Sequence, residues 1–305
     1  MIELEIDEAE HGLRLDVLLV RHVPEMTRKK AREMLEADAI RVNGRRARKS
    51  DVVSRGDRVT LSKAPPPTVF EARPDHDLSL SIVYEDAWLV CVDKPAGVPS
   101  HPLRADELGT VANALVARFP EMRGVGYSRR EPGIVHRLDT NTSGLMLAAR
   151  DPRSFEALRR ALSEGRIEKH YLALVTGRID RHVVIDLPIA PHPRDPKRVV
   201  TGKHMPNVAA ARTEITAFEP HGPYTLILAS APHATRHQVR AHLAAIGHPL
   251  VGDVLYGGPE VDGLLRHALH ASRIELTHPI DKGRRLQLTS PLPAELERLL
   301  HPKSG

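Results

Sequence analysis

The stretch Gly133-Ile134-Val135-His136-Arg137-Leu138-Asp139-Thr140-Asn141-Thr142-Ser143-Gly144-Leu145-Met146-Leu147 places a carboxylate two positions after an arginine, at the end of an apolar run. Thr140 to Gly144 are all turn-building residues. Asp139 is therefore expected to be held by the chain around it. The flanks, Ile134 to Leu138 and Leu145 to Ala149, have strand character.

Further strands are expected at Leu80–Tyr84, Trp88–Val92, Tyr171–Thr176 and Tyr224–Ala229. Asp151-Pro152 reads as a cap and first-turn proline for a helix running to about Gly165, and Thr235 to Ile246 reads as another, ended by Gly247. The order is irregular, with no βαβ rhythm and no phosphate-cradling glycine fingerprint. The expected fold class is thus α+β, with a mixed, largely antiparallel sheet and flanking helices. Nucleotide-cofactor chemistry has no support.

Upstream the pattern changes. Leu15, Leu18 and Leu19 share one helical face, and Ala31, Met34 and Leu35 share another behind a Thr27 cap. Ile40 and Val42 then lead into Asn43-Gly44, the strongest short hairpin signal, and Val52, Val53, Val59 and Leu61 follow. Residues 14–63 carry 14 Lys or Arg against 7 Asp or Glu, whereas the whole chain of 305 residues is only +5. One end is therefore built for a polyanion. Arg14, Arg28, Lys29, Lys30, Arg32, Arg45 and Arg46 are the candidate phosphate contacts. Aromatics make up only 3% of the chain, which disfavours a base-stacking platform.

Ala64-Pro65-Pro66-Pro67-Thr68 stiffens the chain and reads as a linker. The expected domains are 1–63, a linker at 64–78, and 79–305. No apolar run approaches the roughly 18 residues of a membrane span, and the acidic start lacks a signal-peptide core. A cytoplasmic, monomeric protein without membrane association is expected. The single cysteine, Cys91, reads as a small buried hydrophobe.

Residues 13–62 resemble the S-four-type, or alpha-L, RNA-binding domain, through Arg14-Leu15-Asp16, Thr27-Arg28-Lys29-Lys30-Ala31, Ile40-Arg41-Val42-Asn43-Gly44 and Gly56-Asp57-Arg58-Val59. From about Ser81 onward the chain resembles the RluA-type pseudouridine synthases. That resemblance is carried by Asp93-Lys94-Pro95-Ala96-Gly97 ending in His101-Pro102, by the His-Arg-Leu-Asp and Thr-Ser-Gly of the opening stretch, and by Glu168-Lys169-His170-Tyr171-Leu172-Ala173. A fourth block, His237-Gln238-Val239-Arg240-Ala241-His242, is followed by Gly252-Asp253 and Tyr256-Gly257.

The resemblance implies isomerisation of uridine in structured RNA, most of all large-subunit ribosomal RNA, with transfer RNA left open. It implies that Asp139 is the catalytic aspartate, attacking either sugar or pyrimidine. Tyr171 would pack on the target uracil and help remove the C5 proton, and Arg137 would fill the space of the flipped nucleotide. The reaction implied needs no cofactor and no metal. The cation paired with Asp139 is expected at Arg236, displaced by one place from the family's Gly-Arg-Thr-His-Gln pattern. If Arg236 failed to reach, the alternative is a weak or inactive relative acting as an RNA-binding or ribosome-assembly factor. His233, His237 and His242 invite a zinc reading, but His237 and His242 stand five residues apart and no Glu follows in an HExxH arrangement, so no metal site is expected. Lys94, Pro95, Gly97, Gly252-Asp253 and Tyr256-Gly257 read as architectural turns.

Overall fold

A computed structural model describes residues 2–67, 69–202 and 208–300. The chain divides into two compact units, Met1–Phe70 and Glu71–Gly305. Thr68, within the expected linker, lies outside the described residues.

The first unit comprises β1 (Ile2–Glu5), α1 (Leu15–His22), α2 (Arg28–Glu36), β2 (Ile40–Val42), β3 (Arg45–Arg46) and β4 (Arg58–Leu61). Thr27 caps α2 by accepting from the Lys30 N–H. Asn43 and Gly44 both take positive φ, 51° and 77°, the combination that a two-residue hairpin turn demands. The hairpin is one part of a four-stranded sheet, ordered β1-β4-β2-β3. The acidic start supplies its first strand: Ile2 and Leu4 pack on the core formed by Leu15, Leu18, Leu19, Ala31 and Val59.

In the second unit, residues 71–78 do not behave as linker. The Ala72 N–H donates to Arg129, and the Asn113 amide donates to the Arg73 carbonyl, which fastens this segment to the larger body. The elements that follow are β5 (Ser81–Glu85), β6 (Leu89–Lys94), α3 (Val111–Arg118), β7 (Ser143–Ala149), α4 (Pro152–Ser163) and β8 (Glu168–Thr176). Next come β9 (Val183–Asp186), β10 (Ile189–Pro191), β11 (Val199–Thr201), β12 (Arg212–His221), β13 (Tyr224–Ser230), α5 (Gln238–Ala245), β14 (Leu269–Thr277), β15 (Arg285–Thr289) and α6 (Ala294–Leu300). Asp151 caps α4 through the N–H groups of Arg153 and Ser154, with Pro152 at the first position.

A nine-stranded sheet runs β5-β6-β7-β14-β8-β13-β12-β9, with β15 beside β14. Its pairs are antiparallel except β7 with β14. At that parallel crossing a Cβ on Gly144 would lie 2.3 Å from the Ala271 carbonyl oxygen, so only glycine lets the strands meet. The meeting point fixes the end of the Asp139 turn. On one face α4 packs Phe155 and Leu158 on β6 and β7, and α5 packs Val239 and Leu243 on β8 and β13.

Ile134–Leu138 is not a strand. It makes only an isolated bridge, Ile134 to Ala148. Side chains satisfy its backbone instead: Arg159 donates to the Val135 carbonyl at 2.7 Å, and the Ser100 hydroxyl bonds both the carbonyl and the N–H of Leu138. Its apolar residues are buried as a coil between the helices and the sheet.

Candidate active site

Every residue around Asp139 is tied from a different part of the sequence. Ser100 holds Leu138. The Lys94 ammonium donates to the carbonyls of Pro95, Val98 and Thr140 at 2.9, 2.8 and 2.9 Å, and the Gly97 N–H adds a second bond to Thr140. Arg266 donates to the Asn141 carbonyl at 3.3 Å. Thr142 bonds His267 at 2.7 Å and Ser143 bonds His270 at 2.9 Å. A loop whose polar groups are filled in this way cannot drift, and a reacting carboxylate needs that.

Burial pushes the Lys94 ammonium down to about 7, opposed by the nearby Asp139 charge. Burial, with Arg240 and Arg266 close by, pushes His267 down to about 2, so the ring is neutral.

The cation on Asp139 is Arg240, not Arg236. Arg240 donates to Asp139 Oδ2 at 2.9 Å while its Nε and second terminal nitrogen grip both oxygens of Asp253 at 2.7 and 2.8 Å. The Arg240 side chain is only 8% exposed, and a cation so placed survives because it is shared between two carboxylates. Their charges and bonds hold its pKa above the usual guanidinium value against burial. Arg236 is exposed. Arg236 also lies outside α5, which begins only at Gln238. His237 stands before it in the left-handed region, φ 54°, ψ 15°, and breaks the helical run. The legible signal for Arg240 was an arginine among the apolar residues Val239, Ala241 and Leu243, which burial would force into a pair.

His237 itself faces the site. The Tyr256 hydroxyl accepts from the Val199 N–H at 2.9 Å, which leaves its own proton for His237 Nδ1 at 3.0 Å. The neutral ring then carries its proton on Nε2, 3.7 Å from Asp139 Oδ2. Burial, Arg240 and Arg236 lower the His237 pKa against the pull of Asp139 and Asp253. Both of these groups thus address Oδ2, and Oδ1 makes no hydrogen bond among the described residues.

Tyr171 is buried, 4% exposed, on β8. Burial and the Asp139 charge push its phenol up, so it stays protonated near neutrality and is poorly suited to act as a phenolate base. Arg137 stands at the rim with 56% of its side chain exposed. It donates to His101 Nε2 at 2.8 Å, and Glu131 approaches that same nitrogen at 2.9 Å. Of the histidines weighed for metal, His242 bonds Thr213 and the Leu187 carbonyl, and His233 is exposed.

A family model described as RNA pseudouridylate synthase matches residues 88–245, which contain Asp139, Tyr171 and Arg240, and an S4 domain model matches residues 13–59. The chain belongs to the RNA pseudouridine synthase family. It is 34% identical to the ribosomal large subunit pseudouridine synthase D of Nitrosomonas europaea, covering 98% of this chain and 87% of that protein. An uncharacterized RNA pseudouridine synthase of Chloroflexus aurantiacus is 36% identical, covering 98% of this chain and 95% of that protein. Among solved structures, human RNA pseudouridylate synthase domain containing 1 superposes with a TM-score of 0.57 at 26% identity, covering 74% of this chain and 90% of that one.

In the S4 unit many cations are already engaged. Arg14 pairs with Asp16 at 3.0 Å, Lys29 with Glu33 at 3.9 Å, Lys30 with Glu25 at 3.8 Å, and Arg32 with Glu36 at 3.4 Å. Arg46 donates to the Glu36 carbonyl. Arg28 and Arg45 are exposed, with no ion pair among the described residues.

Proposed function

We propose that this pseudouridine synthase acts on uridines of large-subunit ribosomal RNA in the cytoplasm, by flipping the nucleotide out and using Asp139 on it. The observation that carries the reading is the Arg240-centred pair of carboxylates, in which Asp139 Oδ1 makes no hydrogen bond among the described residues. Oδ1 is the oxygen that attacks, at the sugar carbon or at the pyrimidine ring. The N1 glycosidic bond breaks, the uracil turns, C5 joins the sugar and the bond to Oδ1 is released, restoring the carboxylate; C5 gives up a proton and N1 gains one. Atoms balance without an external reagent. Tyr171 would lie against the base, and Arg137 would leave His101 and Glu131 to enter the helix vacated by the flipped nucleotide. Arg14, Arg28, Lys29, Lys30, Arg32, Arg45 and Arg46 would hold the phosphate backbone.

The test is pseudouridine mapping across ribosomal and transfer RNA from cells lacking the protein, complemented with wild type or Asp139→Asn. Sites restored by wild type alone, and found in large-subunit RNA, are the expected result. Failure of both complemented strains to restore any pseudouridine, with the RNA still bound, would sink the enzyme reading and leave an RNA-binding factor.

A further inference from the structure

We propose that Lys169, His136 and Arg159 form a second anion site beside Asp139, and that it takes a phosphodiester of the RNA strand whose uridine occupies the active site. The inference rests on the reading of the protein as an RNA enzyme. Arg159, bonded to the Val135 carbonyl, stands beside His136, and the charges of Lys169 and Arg159 both reach the His136 ring.

The Leu147 N–H donates to His136 Nε2 at 3.0 Å, so that nitrogen is bare and the neutral ring carries its proton on Nδ1. His136 Nδ1 is buried and has no partner among the described residues. Burial and the charges of Lys169 and Arg159 hold the ring well below its ordinary pKa, so it stays neutral. Lys169 is 4% exposed, and its ammonium makes no hydrogen bond or ion pair among the described residues. Lys94, equally buried, fills all three of its donors with carbonyls. Arg159 gives one N–H to the Val135 carbonyl and makes no ion pair among the described residues. A buried donor left unmade and a buried cation left unpaired both destabilise a fold, so their coincidence calls for a ligand.

The position agrees. Lys169 and Tyr171 are two residues apart on β8 and share one face, with the ammonium root about 7 Å along the strand from the uracil platform. Ile274, opposite Lys169, packs into the core beneath α4. A phosphate offers several charged acceptor oxygens to converging donors, which a neutral base or sugar does not.

The variants Lys169→Met and Arg159→Gln test this in the full chain, with a transcript of large-subunit ribosomal RNA and, separately, inorganic phosphate. Lys169→Met is expected to raise Tm in phosphate-free buffer by about 2–4 °C, since it removes an uncompensated charge. Each variant is expected to lower the slope of log affinity against log salt by about 0.7–0.9. An unchanged slope in both variants overturns the proposal, as does a Lys169→Met protein that is less stable and binds RNA like wild type. Phosphate raising the wild-type Tm in a Lys169-dependent way, with the RNA slope unaltered, also overturns it, because the occupant is then a free anion. If Lys169→Met does not fold, the slope of the half-exposed Arg159→Gln decides alone. Wild type that binds RNA with a Lys169-dependent slope yet converts no uridine supports the site while removing the enzymatic reading.

Discussion

The Asp139 turn and the basic face of the S4 unit hold their charges in opposite ways. Around Asp139 each of the residues 138 and 140–143 is bonded to a side chain from a remote segment, and the central guanidinium is almost wholly buried. On the S4 unit most cations project into solvent on long stems, and pairs such as Lys29–Glu33, Arg32–Glu36 and Arg41–Asp38 join exposed groups three or four residues apart. Bond making needs one carboxylate oxygen fixed to a fraction of an ångström, whereas phosphate gripping needs charge in roughly the right place. Substitutions in the first region should therefore be severe and geometric, and those in the second mild and dependent on salt.

The largest effect is expected at Arg240. Arg240→Ala strands Asp139 and Asp253 near one another without a cation, which costs about 3–5 kcal/mol of stability and abolishes turnover. Arg236→Ala, four residues away, should change stability by less than about 0.5 kcal/mol and leave turnover intact. Denaturant titration and single-turnover assays on the pair read both. Similar losses in the two variants would mean that the arginine partner has been misassigned.

That pair also marks where sequence stops being informative. The Asn43-Gly44 hairpin and the Asp151-Pro152 helix start were legible because each is decided within a few residues by backbone sterics and capping. Ile134–Leu138 was misread because an apolar run has the same composition as a buried strand or as a buried coil. Only remote groups, Ser100 and Arg159, show which one it is. Asp139 and Tyr171 were found through motif order. Arg240 was overlooked because the left-handed turn at His237, which decides where α5 begins, has no Gly or Asn to announce it. Lys94, His267 and Lys169 act through burial, which a single sequence does not display.

A second, smaller effect is expected at the Tyr256–His237 contact. Tyr256→Phe removes the proton that fixes Nδ1 as an acceptor and leaves the Val199 N–H without its partner. A bond of this kind contributes about 1 kcal/mol, so kcat should fall roughly tenfold or less with KM little changed. Ring nitrogen chemical shifts of His237 should show one tautomer in wild type and a mixture in Tyr256→Phe. A single tautomer retained in the variant would break the link between this pair and Asp139.

Next in size is the acid response of the Asp139 turn. His267 is held at about 2 in the fold against an ordinary value of 6.5. Because its folded pKa is depressed, the unfolded chain binds the extra proton first. The contribution to stability is complete above pH 6.5 and is lost progressively as pH falls toward the folded value. His267→Gln should be less stable at neutral pH, since it disturbs the bond to Thr142, but should lose less stability between pH 6.5 and 4. Parallel pH curves for the two proteins would show that the ring does not titrate as its surroundings require.

The mildest effects belong to the S4 face, and they can be ranked by whether an acid is already in place. Arg28 and Arg45 have no ion pair among the described residues, so each can meet a phosphate without first giving one up. Arg32 must leave Glu36, 3.4 Å away. Replacing Arg28 and Arg45 together by alanine should lower the slope of log affinity against log salt by about 1.4–1.8, with Tm unchanged and turnover at saturating RNA intact. Arg32→Ala should lower it by less, because Glu36 is then left to repel the backbone and part of the cation's charge was already neutralised. Equal slopes for Arg28→Ala and Arg32→Ala would show that RNA displaces the surface pairs at no measurable cost, and the contrast between the two regions would then lie in burial alone.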